Sequence, residues 1–185
     1  IDNWDTKPLI GYIPAGSTND FASALQSYFY MYLPEEGDGP FPVILSIHGG
    51  AFKMGDKRDN QLNPMLEGLN RGYAIVGINY RLSGEALFPA NIYDVKAAVR
   101  FLKANHERYR LDKNRIVAWG GSAGGYLSSL LATSATHALE DLSMGNETED
   151  CTIQAVVDWF GPTDFLQMDP QLKEANLHPQ DHNEA

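Results

Sequence analysis

A glycine-rich turn around residue 122 is the part of the sequence best suited to covalent chemistry. It has the sequence Gly-Gly-Ser-Ala-Gly over residues 120–124, a G-x-S-x-G pattern, between an apolar run and a helix-like segment. At such a corner the serine hydroxyl is exposed at the positive end of a helix, where a developing anion is stabilised. Ser122 is therefore predicted to be a nucleophile that attacks a carbonyl carbon.

Two other interpretations of this turn compete with a nucleophile. Ser122 could simply cap the following helix within a glycine-rich connector. The strand, turn and helix could instead bind phosphate, but serine stands where the G-x-G-x-x-G pattern needs glycine, and the Gly-Lys-Ser/Thr of a P-loop is absent. The strand before the turn and the helix after it favour the nucleophile.

A second glycine-rich segment, HGGAF at residues 48–52, follows another apolar run. Acyl transfer needs backbone N–H donors aimed at the oxyanion, and small residues let that backbone come close to the reacting carbon. In an HGG-type loop the donors come from the loop and from the residue after the nucleophile. The predicted oxyanion donors are Gly50, Ala51 and Ala123, with Gly49 as a further possibility. The alternative is an ordinary Gly-Gly turn.

The elements that position these two turns follow from alternating apolar runs. An aromatic-rich strand is predicted over residues 25–33, and buried strands are predicted over 43–47, 73–79, 115–119 and 153–158. Helices are predicted near 63–69, over 91–109 and over 126–133. This alternation indicates right-handed crossovers and a mainly parallel sheet, which is an α/β fold. Residues 167–185 have few apolar anchors and are predicted to form a helical or loose surface segment.

Five motifs occur in one order along the chain: HGGAF (48–52), NYRLS (79–83), FPANIYD (88–94), GGSAGG (120–125) and DWFGPTDF (158–165). Together they resemble the α/β-hydrolase esterases and lipases of the hormone-sensitive-lipase-like group. They also resemble bacterial esterases that act on acetylated or feruloylated plant carbohydrate. The resemblance implies a three-layer α/β/α hydrolase sandwich, a serine nucleophile, no metal and no cofactor.

Other residues of these motifs are expected to be structural. His48 is expected to brace its own loop, and residues 80–81 are expected to hold the loops around the serine. Asp94 is placed on the first turn of the long helix, where a carboxylate complements the helix dipole. Trp159 and Phe160 are expected to pack in the core rather than to line an acyl pocket.

A base for Ser122 and an acid to orient that base are missing from the recognisable motifs. In this fold the order along the chain is Ser, then Asp or Glu, then His. His178 and His182 follow Ser122, but no further strand-like segment lies between residue 158 and these histidines. We therefore expect residues 1–185 to be the N-terminal two-thirds of one incomplete domain, with its core over 24–165 and a cap or exit segment over 166–185. The triad Asp and His are then expected beyond residue 185.

The chain has 185 residues and a net charge of −10, and its apolar fraction of 43% is that of a globular protein. The negative charge argues against a nucleic-acid partner, and the longest apolar runs are too short to span a membrane. Residues 140–185 carry 11 acidic side chains and one lysine, so the whole excess lies there. We expect this stretch to be solvated, with compensating basic residues outside the given sequence.

The expected function is hydrolysis of small carboxylic esters, with short acyl groups, through an acyl-enzyme. The expected partners are the ester substrate and the C-terminal remainder of the same enzyme. An amide hydrolase of the arylformamidase or peptidase type is one alternative, and a non-catalytic binding protein on a hydrolase scaffold is another. Because no signal peptide is visible, a cytoplasmic location is expected, with secretion after signal-peptide removal as the alternative.

Overall fold

A mixed, mainly parallel sheet forms the centre of the molecule. The computed structural model describes residues 9–10, 29–135 and 139–178. Within these residues the sheet has six strands in the order β1-β2-β4-β3-β5-β6. The strands are β1 (Leu9–Ile10), β2 (Phe29–Tyr32), β3 (Phe41–Ile47), β4 (Ala74–Ile78), β5 (Leu111–Gly121) and β6 (Ala155–Trp159). Strand β2 pairs antiparallel with β1 and β4, and the other pairings are parallel. The predicted mainly parallel sheet is confirmed.

Four of the five described helices connect parallel strands, and the fifth follows β6. The five are α1 (Asn63–Leu66), α2 (Ala90–Ala104), α3 (His106–Tyr109), α4 (Ala123–Thr133) and α5 (Phe165–Glu174). Short 3-10 helices occur at Asn60–Leu62, Leu69–Arg71 and Leu142–Met144. The helix predicted over residues 91–109 is therefore two helices. Asn105 ends the first of them, and Arg110 ends the second in a left-handed conformation. None of the helices is long and apolar enough to cross a membrane, over the residues described.

Side chains of the central strands alternate between two apolar layers. On one face of the sheet, Ile44 and Ile75 pack with Leu62, Met65 and Leu69 from the segment around α1. Their neighbours on the same strands join a larger cluster that includes side chains of α2 and α4: Val43, Leu45, Ala74, Val76, Ile92, Val95, Leu127 and Leu131. Because successive strand residues point to opposite faces, helices cover both faces of the sheet. The predicted three-layer α/β/α architecture is confirmed.

Asp94 holds the loop after β4 instead of complementing the helix dipole. Helix α2 begins at Ala90, so Asp94 lies beyond its first turn. The buried carboxylate accepts hydrogen bonds from the Arg81 backbone N–H at 2.7 Å and from Arg81 Nε at 2.9 Å. It also pairs with the Arg81 guanidinium at 2.8 Å. The prediction of a dipole role for Asp94 is wrong, whereas the loop-holding role predicted for Arg81 is confirmed.

The acidic segment over residues 139–152 is held by cations of the preceding part of the chain. Arg100, which is fully buried, pairs with Glu140, and buried Lys103 donates to Asp150 at 2.6 Å. Lys113 lies 3.6 Å from Glu149. The expectation that the compensating basic residues lie outside the given sequence is therefore wrong for these three carboxylates.

The edge strand β6 and helix α5 are the least buried elements. No residue of either is fully buried, and Leu166 on α5 is 87% exposed. Phe165 of α5 is partly buried, because its ring packs against Phe52 and Tyr126. A helical surface segment was predicted from residue 167 onward, and the structure has one over the part that it describes.

Candidate active site

Ser122 lies in a strained turn between the end of β5 and the start of α4. Its φ of 53° and ψ of −122° are unusual for a residue with a side chain. The Ser122 N–H donates to the Trp159 carbonyl at 2.8 Å, and the Ser122 carbonyl accepts from the Tyr126 N–H at 3.0 Å. A conformation that costs about 1–3 kcal/mol persists only where its surroundings hold it, and such residues cluster at functional sites.

Glycines allow the strand and the helix to meet at this turn. A Cβ atom added to Gly124 would lie 1.9 Å from the Ile47 carbonyl oxygen, and one added to Gly120 would lie 2.3 Å from the Gly124 backbone. Ile47 is the last residue of β3, so α4 begins directly against the end of the neighbouring strand. Both contacts are far too short for any side chain. The glycines of the G-x-S-x-G pattern are thus required by packing as well as by the turn.

The loop that follows β3 comes into contact with the same turn. A Cβ atom added to Gly49 would lie 2.7 Å from the Gly121 carbonyl oxygen and 3.4 Å from Ser122 Cβ. Gly50 has a φ of +123° and Ala51 a φ of 52°. These left-handed conformations fold the loop back on itself after Gly49. His48 and Gly49 lie alongside the serine turn.

Hydrogen bonds fix three consecutive peptide groups of this loop. The Tyr80 hydroxyl donates to the His48 carbonyl at 3.0 Å, and His48 Nδ1 lies 2.8 Å from the Gly49 carbonyl oxygen. The Gly50 carbonyl accepts from the N–H groups of Lys53 and Met54 at 2.9 and 3.1 Å. Because a peptide group is planar and trans, each bonded carbonyl also sets the direction of the N–H group that follows it.

His48 is a neutral, buried member of this network. Its Nδ1 faces a carbonyl oxygen, which can only accept, so Nδ1 carries the proton and Nε2 does not. Nε2 is buried and has no hydrogen-bond partner among the described residues. The ring stacks on Tyr80 at 4.4 Å, and burial lowers the pKa of His48 below its usual range. The structure thus places His48 where it braces its own loop.

The backbone N–H groups predicted to bind an oxyanion differ in their availability. Over the residues that the structure describes, the N–H groups of Gly50, Ala51 and Ala123 donate no hydrogen bond to the protein. The Gly49 N–H, in contrast, donates to Gln61 Oε1 at 2.8 Å. Gly49 is therefore engaged, and the possibility that it serves as an oxyanion donor is wrong for this structure.

Gln61 is the residue of this site that sequence reasoning missed. It lies in the 3-10 helix Asn60–Leu62, whose N-cap Asp59 accepts the Gln61 N–H at 2.9 Å. Gln61 Nε2 also donates to Asp59 Oδ2 at 2.8 Å, so both ends of the amide are bonded. An exposed glutamine in a polar loop carries no sequence signal of such a role, because the contact with Gly49 depends on how the loop folds.

None of the described histidines, which are His48, His106 and His178, makes a hydrogen bond with Ser122. His106 Nδ1 lies 2.8 Å from the Lys103 carbonyl oxygen, and His178 is exposed beyond α5. His137 and His182 lie outside the described residues. Among residues 29–135 and 139–178, no side chain makes a hydrogen bond with the Ser122 hydroxyl. A base for Ser122 therefore stays a prediction.

The motif at residues 158–165, which begins in β6, supplies local structure beside the serine turn. Asp158 accepts from the Ser129 hydroxyl and from the Gly161 N–H, each at 2.8 Å. Asp164 caps α5 by accepting the Leu166 N–H at 3.1 Å. Both carboxylates are thus engaged in positioning backbone.

Trp159 and Phe160 do not share one environment. Trp159 packs edge-on against Trp119 with ring centroids 5.1 Å apart, and it is 41% exposed. Phe160 is 81% exposed, and its φ is 50°. Its ring would lie 3.6 Å from a Cβ atom added to Gly121. The expectation that both aromatic residues pack in the core is wrong: Trp159 packs on Trp119 but is exposed, and Phe160 stands exposed beside the serine turn.

A family model described as BD-FAE matches residues 29–184. Among curated relatives, the chain is 39% identical over 142 residues to the probable carboxylic ester hydrolase LipM of Mycobacterium tuberculosis. That match covers 76% of this chain and 31% of the relative. The chain thus spans about a third of the length of this curated relative.

Two solved structures are similar in fold and sequence. One is described as a bifunctional GH43-CE of Bacteroides eggerthii, with a TM-score of 0.74 and 33% identity over 84% of this chain and 23% of that one. The other is a truncated form of a carbohydrate esterase from gut microbiota. Its TM-score is 0.68 and its identity is 29%, over 83% of this chain and 56% of that one. These matches agree with the architecture described above.

Proposed function

We propose that this chain, which belongs to the BD-FAE family of α/β-hydrolases, supplies the nucleophile and the oxyanion donors of a serine esterase. The observation that carries the proposal is the strained conformation of Ser122, at φ 53° and ψ −122°, in a turn against which a glycine loop packs. A helix cap needs no such conformation, because residues at that position normally have extended backbone.

In the proposed reaction, Ser122 Oγ forms a bond with the ester carbonyl carbon while its proton passes to a base. The carbonyl oxygen becomes an oxyanion that the N–H groups of Gly50, Ala51 and Ala123 stabilise. The carbon–oxygen bond to the alcohol then breaks, and the base returns the proton to the leaving alcohol. Water repeats the sequence on the acyl-enzyme and releases the acid.

We further propose that the base is a histidine oriented by Asp or Glu, and that both residues follow position 185 in the same polypeptide. Two observations support this. The described histidines make no hydrogen bond with the Ser122 hydroxyl, and the chain spans 31% of the LipM relative and 56% of the truncated carbohydrate esterase. The order Ser, acid, His along the chain is that of the α/β-hydrolase fold.

The proposed substrates are esters with short acyl groups. Relatives are described as a carboxylic ester hydrolase and a carbohydrate esterase, which supports esters over amides. Turnover rates measured over a panel of nitrophenyl esters, acetylated sugars and the matching anilides test directly whether the protein prefers esters to amides. Turnover of anilides at rates equal to esters would instead favour an amide hydrolase.

Replacement of the nucleophile tests the proposal. In the complete enzyme, Ser122→Ala is expected to lower kcat for nitrophenyl acetate by about 10⁴-fold or more. Ser143→Ala is the matched control, because Ser143 is an exposed serine of a 3-10 helix. Fluorophosphonate should label the parent protein and not the Ser122 variant. Unchanged turnover in Ser122→Ala would refute the assignment.

The location of the base has its own test. The labelled natural polypeptide is expected to have an intact mass well above 20.5 kDa, which is the mass of residues 1–185. Residues 1–185 produced alone are expected to show no labelling. Full esterase activity of that 185-residue chain would contradict a base beyond position 185.

A further inference from the structure

Gln61 is the only described side chain that joins the glycine loop after β3 to the polar segment 59–62 by a hydrogen bond to the Gly49 N–H. Its amide oxygen lies at the junction of both turns of the site. That oxygen would be 2.9 Å from a Cβ atom added to Gly49 and 3.9 Å from one added to Gly121. Gln61 therefore stands where the loop and the serine turn meet.

The bond to Gln61 completes the immobilisation of the loop. The peptide group between His48 and Gly49 is held at its carbonyl by Tyr80 and at its N–H by Gln61. The next two peptide groups are held at the carbonyls of Gly49 and Gly50. Among the described residues, only Gln61 holds one of these groups through its N–H, so loss of Gln61 leaves the first peptide group held at its carbonyl alone.

We propose that Gln61 is a positioning residue of the active site, whose amide oxygen holds the Gly49 N–H and so aims the N–H groups of Gly50 and Ala51. This inference rests on the proposed esterase function. Gln61 itself contacts no reacting atom. It acts through the loop, because preorganised donors stabilise an oxyanion only when their direction is set before the reaction.

The chemistry of the glutamine side chain suits this role better than that of a carboxylate. The amide oxygen accepts from Gly49 while the amide nitrogen donates to Asp59 Oδ2 at 2.8 Å. A neutral acceptor next to the glycine loop adds no negative charge where an oxyanion has to form. Glutamate has the same shape but brings that charge, and it also repels Asp59.

Gln61→Leu in the complete enzyme is the first test. Leucine has a similar volume and no acceptor, so the Gly49 N–H loses its protein partner. We expect kcat for nitrophenyl acetate to fall about tenfold with KM changed less than twofold, since the lost interaction acts in the transition state. Gln171→Leu is the matched control, because Gln171 is an exposed glutamine on α5. Its expected kcat is that of the parent.

Gln61→Glu supplies a readout that a merely structural role would not change. Protonated glutamate can accept from Gly49 and donate to Asp59, whereas the ionised form cannot donate. The ratio of variant to parent kcat is therefore expected to rise as pH falls from 7 toward 5. Gln171→Glu is expected to have a ratio that stays flat over the same range.

Parental kcat in both Gln61 variants would overturn the inference. The inference would also be overturned if the fall in kcat equalled the fall in the fraction of folded protein, as measured by thermal unfolding, and if the ratio of variant to parent kcat did not change with pH. These outcomes leave the esterase proposal standing, provided that the parent is active and Ser122→Ala is not. A parent without Ser122-dependent turnover would overturn the esterase proposal and this inference together.

Discussion

The glycine loop at residues 48–51 and the acidic segment at residues 139–152 are attached to the same core in different ways. The peptide groups of the glycine loop are fixed by uncharged partners: the Tyr80 hydroxyl, the Gln61 amide, the neutral His48 ring and backbone N–H groups. The acidic segment is fixed by buried cations. Arg100 donates to Glu140 and to the carbonyls of Asp141 and Gly145.

The difference follows from what each region has to do. A loop that stabilises a transient oxyanion works best when no fixed anion competes for its donors. A long surface segment with few apolar residues has no core of its own, so charge-assisted hydrogen bonds to buried cations hold it. We therefore expect changes of shape to damage the first region most, and changes of surface charge or salt to act mainly on the second.

The largest effect is expected from a side chain placed in the serine turn. Gly124→Ala puts a Cβ atom 1.9 Å from the Ile47 carbonyl oxygen, so strand and helix must separate. We expect a loss of about 3 kcal/mol or more in the free energy of unfolding, measured by denaturant titration. Gly121→Ala is the control, because its nearest contact would be an ordinary 3.6 Å to Phe160. Equal stability of the two variants would contradict this packing.

The next effect is expected from the acidic segment. Glu140→Ala leaves the fully buried Arg100 without its carboxylate, although two backbone acceptors remain. We expect the free energy of unfolding to fall by about 2 kcal/mol. Glu147→Ala is the control, since Glu147 is an exposed carboxylate of the same segment. Similar stability of Glu140→Ala and Glu147→Ala would show that the buried pair does not anchor the segment.

His48 is expected to make the glycine loop sensitive to acid. Its pKa is lowered in the folded state, so the unfolded chain binds the proton more readily. The contribution of His48 to the free energy of unfolding is fully present above the ordinary histidine pKa of about 6.5 and is lost as the pH falls below that value. The stability of the parent should fall by up to about 1.4 kcal/mol per pH unit more than that of His48→Asn. Equal slopes for the two proteins between pH 7 and 5 would rule this out.

The smallest effect is expected from the ion pair between buried Lys103 and Asp150, whose side chain is mostly exposed. Burial by itself would raise the pKa of this carboxyl, but hydrogen bonds from Lys103 and Thr152 outweigh it and lower the pKa to about 2. The Asp150 side chain is 62% exposed, so Asp150→Asn should lower stability by only about 0.5 kcal/mol at neutral pH. The difference in the free energy of unfolding between the parent and Asp150→Asn should vanish as pH falls from about 4 to about 2. The same difference should become smaller in 1 M salt. A parent that is still more stable than Asp150→Asn at pH 2 would contradict the ion pair between Lys103 and Asp150.

Much of the fold could be predicted from apolar patterning. The central strands at 43–47 and 73–79 were predicted within two residues, because strands buried on both faces have continuous apolar runs. The long helix was predicted as one element over 91–109, although Asn105 ends it. Side-chain roles were harder. Asp94 was assigned to a helix dipole because its partner Arg81 lies 13 residues away and the pairing depends on the folded loop.

By itself, the sequence determined the fold class, the position of the serine turn and the glycine loop that faces it. Each of these follows from local patterns: apolar periodicity, glycine spacing and a serine between a strand and a helix. Only the tertiary structure decided which backbone N–H groups are free, that Gln61 occupies the one at Gly49, and that buried Arg100 and Lys103 hold the acidic segment. Those outcomes depend on distances between residues far apart in the chain, and such distances exist only once the chain is folded.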